Sequence, residues 1–249
     1  MTKTSLNRSS CELEISRLIG KAIHGYGMIK ENEHIAVAVS GGKDSLTLLL
    51  QLRERLKRIP IKYDMTAIHL DPGFEFSSAE KMEKFFNEND FKYIVEKCDF
   101  GPLAHSAENK ENPCFLCARL RRKRLFEIAN ELGCKTIAFG HHKDDIIETF
   151  LLNILFSASV SSMMPVQSFF NGKIKIIRPL YLVEEHLIVR YAKCHHLAFI
   201  NSCCPSEDGT RRAFIKQILT DLYKTNKKIK GNIFNSIHNV KYEYMPQKL

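Results

Sequence analysis

No apolar run in this 249-residue chain approaches the roughly 18 residues that a membrane-spanning helix needs. A protein held in a bilayer by such helices is thereby excluded. The opening stretch MTKTSLNRSSCELEISRL lacks the apolar segment of a secretory leader, so a cytoplasmic location is expected. No internal repeat and no low-complexity tract is present, which excludes solenoid and fibrous architectures. Acidic residues are in deficit: 28 Asp and Glu face 37 Lys and Arg, for a formal charge of +9. A surplus of that sign suits a polyanionic partner, most simply nucleic acid, although it would equally serve solubility in a basic proteome.

What the chain does have is 44% hydrophobic residues, enough for a buried core in one α/β domain with additions. It also has eight cysteines, few for a disulfide framework in a cytosolic chain of this size. Cys114 and Cys117 form a C-x-x-C, and Cys203 and Cys204 are adjacent. Cys11, Cys98, Cys134 and Cys194 are isolated and are expected as small buried hydrophobes.

Hydrophobic periodicity alternates along the chain. A leading helix over about 11–29 precedes the strand HIAVAV. The helix DSLTLLLQLRERLKRI, the strand YDMTAIHLD, the helix SAEKMEKFFNENDF and the strand KYIVEKC follow. A polar loop over about 99–113 leads to the helix CFLCARLRRKRLFEIANELG, the strand CKTIAFGHH and the helix KDDIIETFLLNILF. An extended segment KIKIIRPLYL and two helices, EEHLIVRYAKCHH and RRAFIKQILTDLYK, close the pattern. Such alternation predicts an α/β fold with a doubly wound, parallel five-stranded sheet and helices on both faces. The expected organisation is a helical extension over 1–29, a main domain over 30–222 and a basic tail over 223–249. The tail could contact RNA or remain solvated. Ligands of such sheets bind beyond the carboxyl ends of the strands. The loops Ser40–Ser45, Leu70–Gly73 and Gly140–Asp145 should therefore share one edge.

The first of these loops reads SGGKDS. Gly41 and Gly42 after a strand let backbone N–H groups face an anion, and the following helix N-terminus adds partial positive charge. Ser40 and Ser45 can donate hydroxyl hydrogen bonds, Lys43 adds charge, and Asp44 would cap the helix or bind Mg²⁺. The spacing is not that of a Walker A loop. A plain glycine turn with an aspartate cap is the structural alternative.

Two thiolates at C-x-x-C spacing can share a metal, but structural zinc wants four protein ligands and no second knuckle completes the set. With one cysteine of the Cys203–Cys204 pair they would make three thiolates, which suit a [4Fe–4S] cluster with one iron left open. A redox pair or two incidental thiols is the alternative. Arg119, Arg121, Arg122, Lys123 and Arg124 place five cations in six positions. That wraps most of a helix, so at least two should face inward or toward a ligand. Asp144 and Asp145 open a helix after His141 and His142, which suits the helix dipole alone and also suits Mg²⁺ or support of adenylation. A dedicated zinc site there is not expected, because adjacent residues point in different directions.

SGGKDS after a hydrophobic strand resembles the PP-loop of ATP pyrophosphatases. Together with PGF, CFLCARLRR, LGCKTIAFGHHKDDIIETFLLN, MMP, IIRPL and CCP…RRAFIK, over about residues 30–220, the chain resembles the tRNA 2-thiocytidine synthetase family. The resemblance implies that ATP adenylates the C2 oxygen of cytidine 32 in the tRNA anticodon loop and that a [4Fe–4S] cluster passes sulfur to that carbon. It implies Cys114, Cys117 and Cys204 as cluster ligands, with Cys203 as the alternative to Cys204. It puts Ser40, Gly41, Gly42, Lys43, Asp44 and Ser45 on ATP, with Leu70, Asp71 and Gly140 at the adenosine. It gives Asp44, Arg121 and Asp145 catalytic parts. It further implies tRNA as partner, a sulfur donor such as a cysteine desulfurase, and compatibility with a homodimer. Lysidine synthases and thiouridine synthetases share the superfamily. The former need no cysteines, and the latter usually carry zinc knuckles that this chain lacks. A non-catalytic RNA-binding or cluster-carrying protein would not need the SGGKDS loop.

Overall fold

The computed structural model describes residues 9–75, 77–197, 199–200 and 210–246. They form two compact units, Met1–His142 with Met164–Glu207, and Lys143–Met163 with Asp208–Leu249.

The first unit is built on a six-stranded sheet in the order β3-β2-β1-β4-β6-β5. The strands are β1 (Glu33–Ala38), β2 (Tyr63–Asp71), β3 (Tyr93–Lys97), β4 (Thr136–Ala138), β5 (Val166–Phe169) and β6 (Ile174–Ile177). Five are mutually parallel, as the alternation predicts. The sixth, β5, runs antiparallel to β6 at the edge. Its hairpin turns through Phe170, Asn171 and Gly172, all at positive φ. Asn-Gly is a favoured hairpin pair because both residues tolerate that region.

The helices of this unit are α1 (Ser10–Gly25), α2 (Lys43–Leu56), α3 (Ala79–Glu88), α4 (Phe100–Ala104), α5 (Pro113–Glu131) and, after α6 of the second unit, α7 (Glu185–Cys194). Successive strand residues face opposite sides, and the two cores follow that alternation. Ile35, Val37, Ala67, Ala138 and Ile177 join one core with Ile15 and Ile19 of α1, Leu46 and Leu49 of α2, and Ile188 of α7. Ala36, Ile68, Leu70, Ile137, Ile174 and Ile176 join the other with Leu125, Phe126 and Ile128 of α5. The central strands are thus apolar on both faces, the pattern of a covered parallel sheet.

At the amino edge one half-buried carboxylate ties three strands. Glu33 accepts hydrogen bonds from the Thr136 hydroxyl, from Lys30 N at 2.8 Å, and pairs with Lys175 Nζ at 3.0 Å. Burial pushes its pKa up, but these partners outweigh burial and hold it below the ordinary value.

The second unit contains α6 (Lys143–Ser157), α8 (Arg211–Thr225) and α9 (Ile229–Ser236). Within it Phe156 meets Phe214 edge-on and Arg211 lies over the Phe156 ring at 5.0 Å. Within the basic tail, expected to contact RNA or remain solvated, Ile229–Ser236 forms α9, with Phe234 buried. No helix of the described residues is long and apolar enough to cross a membrane.

Gly73, in the PGF turn after β2, has φ +82°, and a Cβ built there would lie 2.0 Å from the Cys98 carbonyl oxygen. Gly73→Ala is expected to cost at least about 2 kcal/mol, through strain and backbone displacement. That corresponds to a melting temperature lower by about 5 °C or more. Gly25→Ala, at a position where a Cβ meets nothing within 4 Å, is expected to leave the melting temperature unchanged or slightly raised in the same thermal scan.

Candidate active site

In a parallel sheet every strand delivers its following loop to the same edge. The loops after β1, β2, β4 and β6 therefore meet at one edge of the first unit. The chain leaving β3 reaches that edge too, and α5 must run back from it to start β4, so the N-terminal end of α5 lies on the side of these loops.

The SGGKDS loop is tied by its own hydroxyls. Ser45 Oγ donates to the Gly42 carbonyl at 3.0 Å and accepts from Ser40 N at 3.2 Å, and the Ser40 hydroxyl accepts from Gly42 N at 3.3 Å. Ser45 is buried, and its one proton goes to the loop itself. What this conformation offers an anion is the first turn of α2, whose initial N–H groups have no partner within the helix. Gly42 caps that turn with φ −76° and ψ 162°. Gly140 backs onto it: a Cβ at Gly140 would stand 3.0 Å from Ser45 N and 3.1 Å from Ser45 Cα. Any side chain there would make the facing backbone give by a few tenths of an ångström.

Charge around the loop is compensated. Lys43 Nζ pairs with Asp44 at 3.1 Å and with Glu185 of α7 at 3.1 Å. Burial lowers the Lys43 pKa, but the two carboxylates outweigh it and keep the ammonium protonated beyond its ordinary range. Asp44 keeps 31% of its side chain exposed, with the buried His142 ring nitrogen 3.7 Å from its carboxylate. His141 stacks on Phe139. The sequence reading noted His142 only beside His141, ahead of Asp144 and Asp145, and it missed Glu185. An acidic residue opening α7 is too common a signal to single it out alone.

The Leu70–Asp71 turn, expected at the adenosine, is engaged internally. Leu70 is buried in the α5-side core. Asp71 accepts from Gly73 N at 2.9 Å, the Ser77 hydroxyl at 2.6 Å, Ser78 N at 2.7 Å and Ala79 N at 3.1 Å. It thus caps α3 from a distance. His69, just before it, is buried between the Val39 carbonyl and the Ser78 hydroxyl, each at 2.8 Å. Burial lowers its pKa, which outweighs the Val39 and Asp71 contributions and keeps it a neutral strut under the loop.

On α5, Asn112 caps the helix by accepting from Phe115 N at 3.2 Å, and Pro113 occupies its first turn. Cys114 is exposed and Cys117 partly so. Three residues apart, they lie on one helix face. Cys203 and Cys204 lie outside the described residues. Among the isolated cysteines, Cys134 is buried and its pKa pushed up to about 11 by burial. Cys98 rises to about 11 by burial and then by Glu96. Cys194 departs from the buried expectation: it is exposed, because it ends α7 off the apolar face. Among the described residues no three His, Cys, Asp or Glu side chains gather as a metal site.

The basic run divides. Arg124 is held by Glu96 through two bonds of 2.7 Å and by Glu127 and Glu131 at 3.2 and 3.1 Å. Arg119 pairs with Glu111 at 3.2 Å and Lys123 with Glu127 at 3.9 Å. Arg121, half-buried, and Arg122, exposed, have no carboxylate partner among the described residues. Arg121 and Arg124 are thus the two less exposed members of the run, and of these Arg121 has no carboxylate partner among the described residues.

Asp145 belongs to the second unit. There Arg212 of α8 binds Asp145 at 3.1 Å, Glu148 at 3.4 Å and the Thr149 hydroxyl at 3.2 Å, while Lys230 pairs with Asp144 at 2.6 Å. Arg212 had no role in the sequence reading, although it lies in the RRAFIK string.

Comparison with known proteins matches the PP-loop domain family over residues 8–222. The chain is 35% identical over 237 residues to the tRNA-cytidine(32) 2-sulfurtransferase of Citrifermentans bemidjiense, covering 94% of this chain and 93% of that protein. It is 37% identical over 238 residues to the protein of that name in Geotalea daltonii, covering 94% of each. Among solved structures it resembles the U34-tRNA thiolase NcsA of Methanococcus maripaludis with its [4Fe-4S] cluster. The TM-score is 0.77 at 25% identity, over 96% of this chain and 81% of that one.

Burial pushes the Asp71 pKa up, but the hydrogen bonds from Ser77, Gly73, Ser78 and Ala79 outweigh it and set it below the ordinary 3.8. The stability this gives is complete above the unfolded value and is lost as pH falls through the folded one. Urea unfolding of Asp71→Asn should show a deficit of about 2 kcal/mol at neutral pH that closes as pH falls through the lowered folded-state value. A deficit constant from pH 7 to 2 would contradict the ionised cap.

Proposed function

The chain belongs to the PP-loop family and, within it, to the tRNA-cytidine 2-sulfurtransferases, and from that premise we propose that it is an ATP-dependent enzyme that converts cytidine 32 of tRNA to 2-thiocytidine through a [4Fe–4S] cluster. The observation that carries this reading is the juxtaposition within the first unit. A hydroxyl-tied SGGKDS loop opens α2 at the same sheet edge where α5 begins with two accessible cysteines and continues into Arg121.

The chemistry follows from the substrate. An oxygen on C2 of cytosine is a poor leaving group. Attack by that oxygen on the α-phosphorus of ATP expels pyrophosphate and turns it into a phosphate ester. Sulfur then forms the bond to C2 as AMP departs. The first turn of α2 would hold the departing phosphates, and Gly140 would let the nucleotide lie against that turn. Asp44, a partly exposed carboxylate on the loop, fits a hard, oxygen-seeking cation, and Mg²⁺ there would neutralise phosphate charge. Arg121 is assigned the stabilisation of negative charge on the phosphate passing between nucleotide and base. Asp145, ion-paired by Arg212, is assigned a supporting part in the same step.

Cys114 and Cys117 fit a cluster in being accessible, on one helix face and a turn apart, and Cys204 is assigned as the third ligand. Held by these thiolates, a [4Fe–4S] cluster would supply the chemistry of sulfur transfer. The sulfur comes from a donor such as a cysteine desulfurase. The target base must leave its stack to be reached. The reading includes a cytoplasmic setting and is compatible with a homodimer.

Purified without oxygen, the protein should hold about four irons per chain with visible absorption. Cys114→Ala, Cys117→Ala and Cys204→Ala should each remove both. Nucleoside mass spectrometry of tRNA from cells lacking the gene should show 2-thiocytidine returning with the wild type and not with the cysteine variants. A protein that stays colourless after anaerobic reconstitution with iron and sulfide would overturn the cluster route.

A further inference from the structure

We infer that Phe115 is a stacking platform for an unpaired tRNA base, with Arg122 holding a phosphate of the same strand. This inference rests on the proposed reading that tRNA is the substrate, and it names the surface that receives the loop beside the target base.

Phe115 lies between Cys114 and Cys117 in the first turn of α5, is 61% exposed and belongs to neither apolar core. A single exposed aromatic needs no explanation by itself. Its setting points to a nucleobase. Phe115 N donates to the Asn112 side chain at 3.2 Å and to the Asn112 carbonyl at 3.0 Å, and Pro113 stiffens the same turn. The ring is thus presented from a fixed backbone. Arg119, one turn on, sets its guanidinium 5.8 Å from the ring centroid, within cation–π range, and is itself held by Glu111 at 3.2 Å.

Residues at i, i+4 and i+7 share a helix face. Phe115, Arg119 and Arg122 have that spacing, and all three are exposed. Arg122 has no carboxylate partner among the described residues, whereas Lys123 and Arg124 beside it are paired with glutamates. An apolar partner would have to bury these guanidinium groups along with the ring, which is costly. A single strand of RNA supplies both complements, a flat base for the ring and a phosphate for Arg122. A duplex hides its base faces, so the partner is an unpaired loop. At about 100° per residue, Cys114, Cys117 and Arg121 share the neighbouring face of α5. The stacked base is therefore a neighbour of the target in the loop, not the target itself.

The chain has no tryptophan, so Phe115→Trp introduces a single reporter whose emission falls when a base stacks on it. An RNA hairpin carrying the anticodon loop should quench it, and a fully paired RNA of equal length should not. Phe115→Ala and Phe115→Leu should each bind the hairpin about tenfold more weakly. Their melting temperature, iron content and binding of a non-hydrolysable ATP analogue should match the wild type. Arg122→Gln should flatten the slope of log K against log salt by about 0.7, and an unchanged slope would remove Arg122 from the site. Full hairpin affinity in Phe115→Leu, or unquenched emission with the hairpin bound, would overturn stacking. Emission that changes with protein concentration in the absence of RNA would assign the ring to a contact between copies and overturn the platform. Wild-type protein that binds neither tRNA nor the hairpin would overturn the functional reading as well.

Discussion

The candidate site depends on one close approach. Gly140, at the end of β4, lies against the backbone of Asp44 and Ser45 in the first turn of α2, where a single Cβ would come within 3.0 Å of an amide nitrogen. The approach is possible because β1 and β4 are parallel neighbours and deliver their loops to the same edge. The hydroxyls of Ser40 and Ser45 then serve the loop's own shape, so the backbone amides are presented without reorganisation. Such preorganised dipoles act on an anion without the cost of turning them at the moment of binding.

Around that backbone the side-chain charges are sorted. Lys43 is held between Asp44 and Glu185, so the loop's lysine is partly neutralised within the protein. Arg124 is taken by glutamates, whereas Arg121 has no carboxylate partner among the described residues. On this helix the charge is thus sorted residue by residue. The overall surplus of +9 is less informative than this local division, because surface cations paired with glutamates contribute little to ligand binding.

Much of the architecture was legible because its signals are local and strong. Buried parallel strands read as apolar runs, and SGGKDS between HIAVAV and an amphipathic helix has few structural interpretations. The edge strand Val166–Phe169 was not read, although Asn171-Gly172 marks its turn, because four residues, three half-buried and one exposed, carry little periodicity. Phe100–Ala104 looked like loop because Gly101 and Pro102 are poor helix formers, yet Asp99 and the close Phe74 ring surround a single helical turn. Ion pairs were the least legible. Glu185 with Lys43, and Arg212 with Asp145, join residues 142 and 67 positions apart, and no spacing rule reaches that far. Asp71 was placed at the adenosine by the family resemblance. Its four hydrogen bonds to the following turn add a capping role that the sequence did not signal.

The account stands most directly on how ATP is cut. The full chain, incubated with ATP, Mg²⁺ and unmodified tRNA without oxygen, should release AMP and pyrophosphate in equal amounts. Release should depend on the tRNA and be lost in Gly140→Val, whose side chain would fill the approach to α2. Formation of ADP and inorganic phosphate, or no ATP cleavage with tRNA present, would contradict the reading of the SGGKDS loop as the site of adenylation.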